Sequence, residues 1–155
     1  MKYIFLSLVF SSFVMISYSQ SDKTIEWKTW EQLEHALKEQ PKPVLIYFHA
    51  DWCAYCKKLD REVFINTKVV EKINRDYYAV EMDVETLDTI VFDGVTFVNK
   101  QAETKRSSTH DLPLLLGSRE NEVFSLPATL FFDTNFVVRE RVFNYYTSKK
   151  LLEIL

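Results

Sequence analysis

An α/β fold, with a central sheet flanked by helices, is predicted for this 155-residue chain by three observations. Segments with apolar residues at helical spacing alternate with short runs of β-branched and aromatic residues. One of those runs, Val44-Leu45-Ile46-Tyr47-Phe48, has too little polar alternation for a half-solvated strand and suits one buried on both faces. The third observation is the order along the chain: helix, strand, helix, strand, an irregular insertion, strand, strand, helix.

The first helix lies within Lys28 to Gln40, where Trp30, Leu33, Ala36 and Leu37 share a face, and Pro41-Lys42-Pro43 stops it. The Val44–Phe48 strand follows. From Ala54 to about Asn74 the apolar positions Leu59, Val63, Phe64, Val69, Val70 and Ile73 fit one helix or two, with Asn66-Thr67 as the break. A second strand covers Tyr77 to Val84. Residues 85–122 form the insertion: Ile90 to Val98 carries a hairpin signature around Asp93-Gly94, Asn99 to Thr109 reads as an exposed polar loop, and Asp111 to Leu116 as a short helix capped near Gly117. Leu126 to Phe132 and Phe136 to Phe143 make a strand pair around Asp133-Thr134-Asn135. Thr147 or Ser148 caps a last helix carrying Leu151, Leu152, Ile154 and Leu155.

The N-terminus predicts export. Lys2, the apolar stretch Ile4 to Ile16 and Ser17-Tyr18-Ser19 before Gln20 have the form of a secretory signal cleaved after residue 19, and the thirteen apolar residues fall short of the roughly 20 that a membrane-spanning helix needs. An uncleaved anchor is the alternative. Removing nineteen residues leaves 136, enough for one domain with its own core over residues 20–155. That part carries 18 basic and 22 acidic residues, so nucleic-acid binding has no electrostatic support. Two glycines and 15% aromatic residues argue against a disordered linker. In a bacterium the destination is the periplasm.

Trp52-Cys53-Ala54-Tyr55-Cys56-Lys57 holds both cysteines of the chain, at the junction of a strand with a helical pattern. A disulfide across so short a loop constrains the unfolded chain only weakly, so a reversible dithiol explains the pair better than a structural staple. A cysteine at the N-terminus of a helix has its thiolate stabilised by backbone N–H groups and the helix dipole, which favours Cys53 as nucleophile. Cys56, one turn in, is expected to be more buried and placed to displace whatever Cys53 has bonded.

These residues, with Lys42-Pro43-Val44 and Ala50-Asp51 before them and Leu126-Pro127-Ala128-Thr129 some seventy positions later, resemble the thioredoxin superfamily. In particular they are similar to exported thioredoxin-like proteins related to the C-terminal domain of the disulfide reductase DsbD. The resemblance implies a thioredoxin-like fold, a mixed central β-sheet flanked by helices, with the insertion placed before the strand that follows a cis-Pro127. It also implies that Pro127 lies against the cysteines and that the backbone before it, at Leu126, pairs with substrate. The chain departs from the family at the buried acid six positions before the first cysteine, which is Tyr47 here. Asp60, a turn beyond Cys56, is the candidate replacement; the alternative is a solvated carboxylate on the helix surface.

Trp52 and Tyr55 are candidate substrate contacts, with core packing as the alternative, and Lys57 either favours the thiolate or is simply solvated. His49 offers a Cys/His pair, but a structural metal site usually takes four ligands and only one Cys-x-x-Cys exists; neither His35 nor His110 is spaced to complete it. Covalent haem would need His at position 57, which is Lys. No metal or organic cofactor is therefore expected. The reading is an exported thiol–disulfide oxidoreductase, a reductase or isomerase rather than an oxidase. Its expected partners are protein thiols and disulfides and a membrane thiol-electron donor, and it acts as a monomer. The competing reading is a binding or assembly protein on the same fold, without redox turnover.

Overall fold

The structure is a computed structural model and describes residues 24–155; the signal-like segment lies outside the described residues. Its order is α1 (Trp30–Glu39), β1 (Val44–His49), α2 (Ala54–Glu62), α3 (Thr67–Asp76), β2 (Tyr78–Asp83), β3 (Ile90–Phe92), β4 (Val95–Phe97), a 3-10 turn (Lys100–Glu103), α4 (Asp111–Gly117), β5 (Ala128–Phe132), β6 (Val138–Val142) and α5 (Ser148–Ile154). Local chemistry fixes the ends. Thr29 and Gln32 form a reciprocal capping box that starts α1 two residues later than the apolar spacing alone suggests. Asn66 separates α2 from α3, its side chain accepting from the Lys68 and Val69 amides at 3.1 and 3.4 Å. Asp93 and Gly94, with φ of 51° and 71°, form the tight turn of the β3–β4 hairpin.

The main sheet has strand order β2-β1-β5-β6, with β2 parallel and β5 antiparallel to β1, and β6 antiparallel to β5. As the central strand β1 is covered on both faces, its alternate residues feed two cores. Leu45 and Tyr47 join Ala79 and Phe131 in packing against α2, α3 and α5, whereas Val44, Ile46 and Phe48 join Val80, Leu130 and Phe132 against α1, α4 and the hairpin. The cysteines belong to the first core.

Within the 99–109 stretch residues 103–107 are exposed, as expected of a loop, whereas its two ends turn inward. Asn99 and Ser108 are buried: the Asn99 amide donates to Ser108 Oγ at 2.9 Å and to the carbonyls of Glu85 and Thr86 at 3.4 and 3.1 Å. These polar residues turn inward because the carbonyls after β2 need donors once the insertion folds over them. His110 is also fully buried. The Leu112 amide donates to its Nδ1 at 3.2 Å, which leaves the proton on Nε2 to reach the Asp88 carbonyl at 3.1 Å. At the far end of the sheet, β6 begins at Val138 rather than Phe136, which takes a φ of 58° and stacks on Phe132 with ring centroids 4.4 Å apart.

Gly117 is the last residue of α4 rather than a cap beyond it; Ser118 caps the helix. A Cβ at Gly117 would come within 2.7 Å of the Phe124 ring, so glycine is required by close approach. Gly117→Ala should therefore destabilise the protein by about 1–3 kcal/mol through overpacking. A urea titration checks this; an unchanged midpoint would mean that Phe124 moves aside at no cost.

Candidate active site

The chain leaves β1 at His49, turns through a hydrogen bond from the Cys53 amide to the Ala50 carbonyl at 3.0 Å, and enters α2. Cys53 is the N-cap of that helix, and the Cys56 amide donates to its Sγ at 3.1 Å. The two cysteines are joined by a disulfide. Exposure scarcely separates them, at 5% for Cys53 and 1% for Cys56, so position at the helix end distinguishes the sulfurs more than accessibility does. The cap amide acts on Cys53, which also stands nearer the positive end of the helix dipole than Cys56.

Around the pair, Trp52 and Tyr55 are 61% and 62% exposed, which is unusual for large aromatic residues. Tyr55 approaches Tyr145 with ring centroids 6.4 Å apart, and Lys58 lies 4.3 Å above the Tyr145 ring. Lys57 is exposed on the first turn of α2. From the sheet side, Ala128 pairs with Phe48, which brings the preceding Leu126 and Pro127 to the end of the sheet where β1 runs on toward Cys53. The Leu126–Pro127 peptide is cis, and Leu126 is half-buried against both cores.

Behind the disulfide lies a polar group inside the apolar core. Tyr47 is fully buried, and its hydroxyl has no hydrogen-bond partner of ordinary length. Burial, followed by the Asp60 carboxylate facing it, pushes its pKa well above the usual phenol value. Asp60 stands on the exposed side of α2 as a residue, yet its carboxyl is partly desolvated where it turns toward Tyr47. Desolvation raises its pKa, against the opposing pull of the Tyr47 hydroxyl, His49 and Arg61. His49 is stacked on Tyr47 at 5.4 Å rather than paired with a cysteine. His35 is solvated on α1 beside Glu39, and His110 belongs to the insertion, so neither joins the site. Among the described residues, no group of three or more His, Cys, Asp or Glu could hold a metal ion.

Sequence reasoning missed Glu81. It pairs with Tyr47 in the parallel β1–β2 register, on the same face of the sheet, and its pKa is raised mainly by desolvation, with His49 opposing and Asp60 reinforcing. The signal was available: an acid alternating with Ala79 inside a short apolar strand points to the same face as its neighbours two residues away. Thr129 and Tyr146 close the group from β5 and the chain before α5, their hydroxyls 2.7 Å apart.

The match to known families is consistent with this geometry. The family described as Thioredoxin-like domain matches residues 30–155. The chain belongs to the thioredoxin superfamily. Among relatives, the thiol:disulfide interchange protein DsbD of Shigella boydii serotype 4 (strain Sb227) is 30% identical over 107 residues, 68% of this chain but 15% of that protein. This chain thus spans only a small part of the DsbD proteins it matches. Two solved structures share the fold. A DsbH oxidoreductase has a TM-score of 0.60 at 14% identity, with 86% of this chain and 84% of that one covered. The oxidised DsbD C-terminal domain of Neisseria meningitidis has a TM-score of 0.50 at 19% identity, with 79% and 85% covered. The mixed sheet flanked by helices is that of the superfamily.

Proposed function

We propose that this chain is an exported thiol–disulfide oxidoreductase that works as a reductase or isomerase. The observation that carries the proposal is the Cys56 amide aimed at Cys53 Sγ from the first turn of α2, a donor placed to stabilise a Cys53 thiolate. In the reduced protein that thiolate attacks one sulfur of a substrate disulfide, forming a mixed disulfide and expelling the other sulfur as a thiolate that takes a proton. The Cys56 thiolate then attacks Cys53 Sγ, releasing the second substrate thiolate and leaving Cys53–Cys56 oxidised. Two electrons pass to the substrate. A dithiol donor must then return them, and a membrane thiol-electron carrier fits an exported protein.

The supports for export and direction are of different kinds. The signal-like sequence of residues 1–19 supports export, and among the described residues no helix is long and apolar enough to cross a membrane. Similarity to DsbD favours reduction or isomerisation over oxidation. Trp52, Tyr55, Leu126 and Pro127 are the proposed substrate surface, Asp60 the proposed proton carrier, and the protein acts as a monomer.

The deciding experiment is equilibration of Cys53–Cys56 with glutathione buffers, read by trapping free thiols. A potential near or below that of thioredoxin, about −270 mV, is expected of a reductant, and one near about −120 mV would reverse the direction. Limiting iodoacetamide on the reduced protein should label Cys53 before Cys56. A pair that cannot be reduced, or one alkylated first at Cys56, would sink the catalytic assignment.

A further inference from the structure

β2 is an edge strand of the main sheet, and only its start is covered. The Tyr78 amide donates to the Pro43 carbonyl and the Val84 amide to the His49 carbonyl, both at 2.9 Å. The even-numbered residues of β2 thus turn their main chain toward β1, and the odd-numbered ones turn theirs outward. At Ala79 the outward carbonyl accepts from the Lys28 amide at 2.8 Å, beside an isolated parallel bridge to Trp27; Thr29 then caps α1 and the cover ends. The Glu81 N–H and C=O come next, and they have no main-chain partner among the described residues. A groove of about 800 Å³ opens along that stretch, between the start of α1 and residues 86–91 of the insertion. Its far wall is β3. The turn at Asp93-Gly94 makes Phe92 and Val95 the closing hydrogen-bonded pair, so Val91, one residue on, turns its N–H and C=O away from β4. Two open strand edges border one groove.

An uncovered sheet edge is a template for another extended chain, which gains main-chain hydrogen bonds along it. The lining says which chain. Glu31, Glu34, Glu81, Asp83 and Asp88 line the groove with Lys28 as the single base among the described lining residues, and of these acids Glu34 is in an ion pair with Lys38. Among the described residues the acids form no group that could hold a metal ion. A second copy pairing through the same edge would set these acids against their own equivalents, because the two faces of a symmetric contact are identical. Trp30, 7% exposed, stands in the groove wall with an indole N–H that has no acceptor within the chain, a donor that a peptide carbonyl can satisfy. We infer that the groove docks an extended, basic segment of a partner polypeptide, which adds as a strand to the open edge of β2. Docking here needs neither sulfur, so it stands whether or not the oxidoreductase reading does. It gives the first part of the insertion a role, as the wall that makes a bare edge into a groove.

The test titrates the full chain, with the disulfide formed, against two labelled six-residue peptides, alternating Lys-Val and alternating Glu-Val, read by fluorescence anisotropy. The Lys-Val peptide should bind and weaken as salt is raised, and the Glu-Val peptide should bind at least about tenfold more weakly. Reversing two exposed acids together, Glu31→Lys with Asp88→Lys, should cost the Lys-Val peptide about tenfold. Glu81→Pro removes an outward N–H, which an edge strand tolerates, and should bind about fivefold more weakly than Glu81→Gln, which keeps it. Amide spectra of the native chain locate the peptide without any variant. On saturation the Glu81 and Val91 amides should shift and exchange more slowly with solvent, while those of Trp52 and Tyr55 should not move. Shifts confined to Trp52 and Tyr55, or equal binding of the two peptides, overturn the inference. So does a dimer in sedimentation that Glu81→Pro dissolves, since the occupant of the edge would then be a second copy.

Discussion

Cys56→Ser should accumulate mixed disulfides with partner proteins, seen as bands on a non-reducing gel that collapse on adding dithiothreitol, and Cys53→Ser should accumulate almost none. The asymmetry follows from where the helix places each sulfur. Cys53 at the N-cap has the stabilised thiolate and makes the first bond, and without Cys56 nothing within the site can break it. Turnover should fall to background in both variants, making this the largest effect expected of any single substitution. Both side chains are close in size to serine and neither carries a charge in the disulfide, so the fold should persist in both variants. Equal trapping by the two, or none by either, would count against a two-step exchange.

Asp60→Asn should slow the resolving step by about a hundredfold, the usual scale for a positioned proton-transfer group. Asp60 stands four residues after Cys56 in α2, one helical turn along the same face, where an ionised carboxylate can take the Cys56 proton as the sulfur attacks. Desolvation raises its pKa toward the working pH, which makes it a better base than an ordinary surface aspartate. The native rate should therefore climb with pH through a limb shifted upward from that of an ordinary aspartate, and Asp60→Asn should lack that limb.

The same shift fixes the sign of a stability effect. A carboxyl whose pKa is raised on folding favours the native state when protonated and disfavours it when ionised. Its stabilising contribution is present below the unfolded value of 3.8 and is lost as pH rises through the higher folded value. Asp60→Asn should thus be the more stable protein at neutral pH, with the difference vanishing in acid. A pH–rate profile and urea titrations at two pH values test both statements. Unchanged profiles would return Asp60 to the role of a solvated surface group.

Much of the fold was legible because local rules and burial agreed. The unbroken apolar run of β1 announced a strand covered on both faces, Asn66 divided α2 from α3 by capping, and Asp93-Gly94 made the hairpin turn that its backbone preferences favour. The insertion was less legible. Asn99 and Ser108 carry polar side chains that local reasoning assigns to an exposed loop, and only the carbonyls of Glu85 and Thr86, supplied by a distant turn, explain their burial.

At the candidate site the division is similar. The sequence by itself determined that both sulfurs share one place at a strand-to-helix junction, since the two-residue spacing cannot separate them and the adjoining periodicities fix the elements. Tertiary structure decided what surrounds them. It set Glu81 opposite Tyr47 across a parallel register and turned Asp60 from the outer side of α2 toward a buried hydroxyl. The physical reason is one of range. Capping, periodicity and turn preference act within a few residues, while desolvation and charge coupling depend on which strands lie side by side, and that depends on the packing of both cores at once.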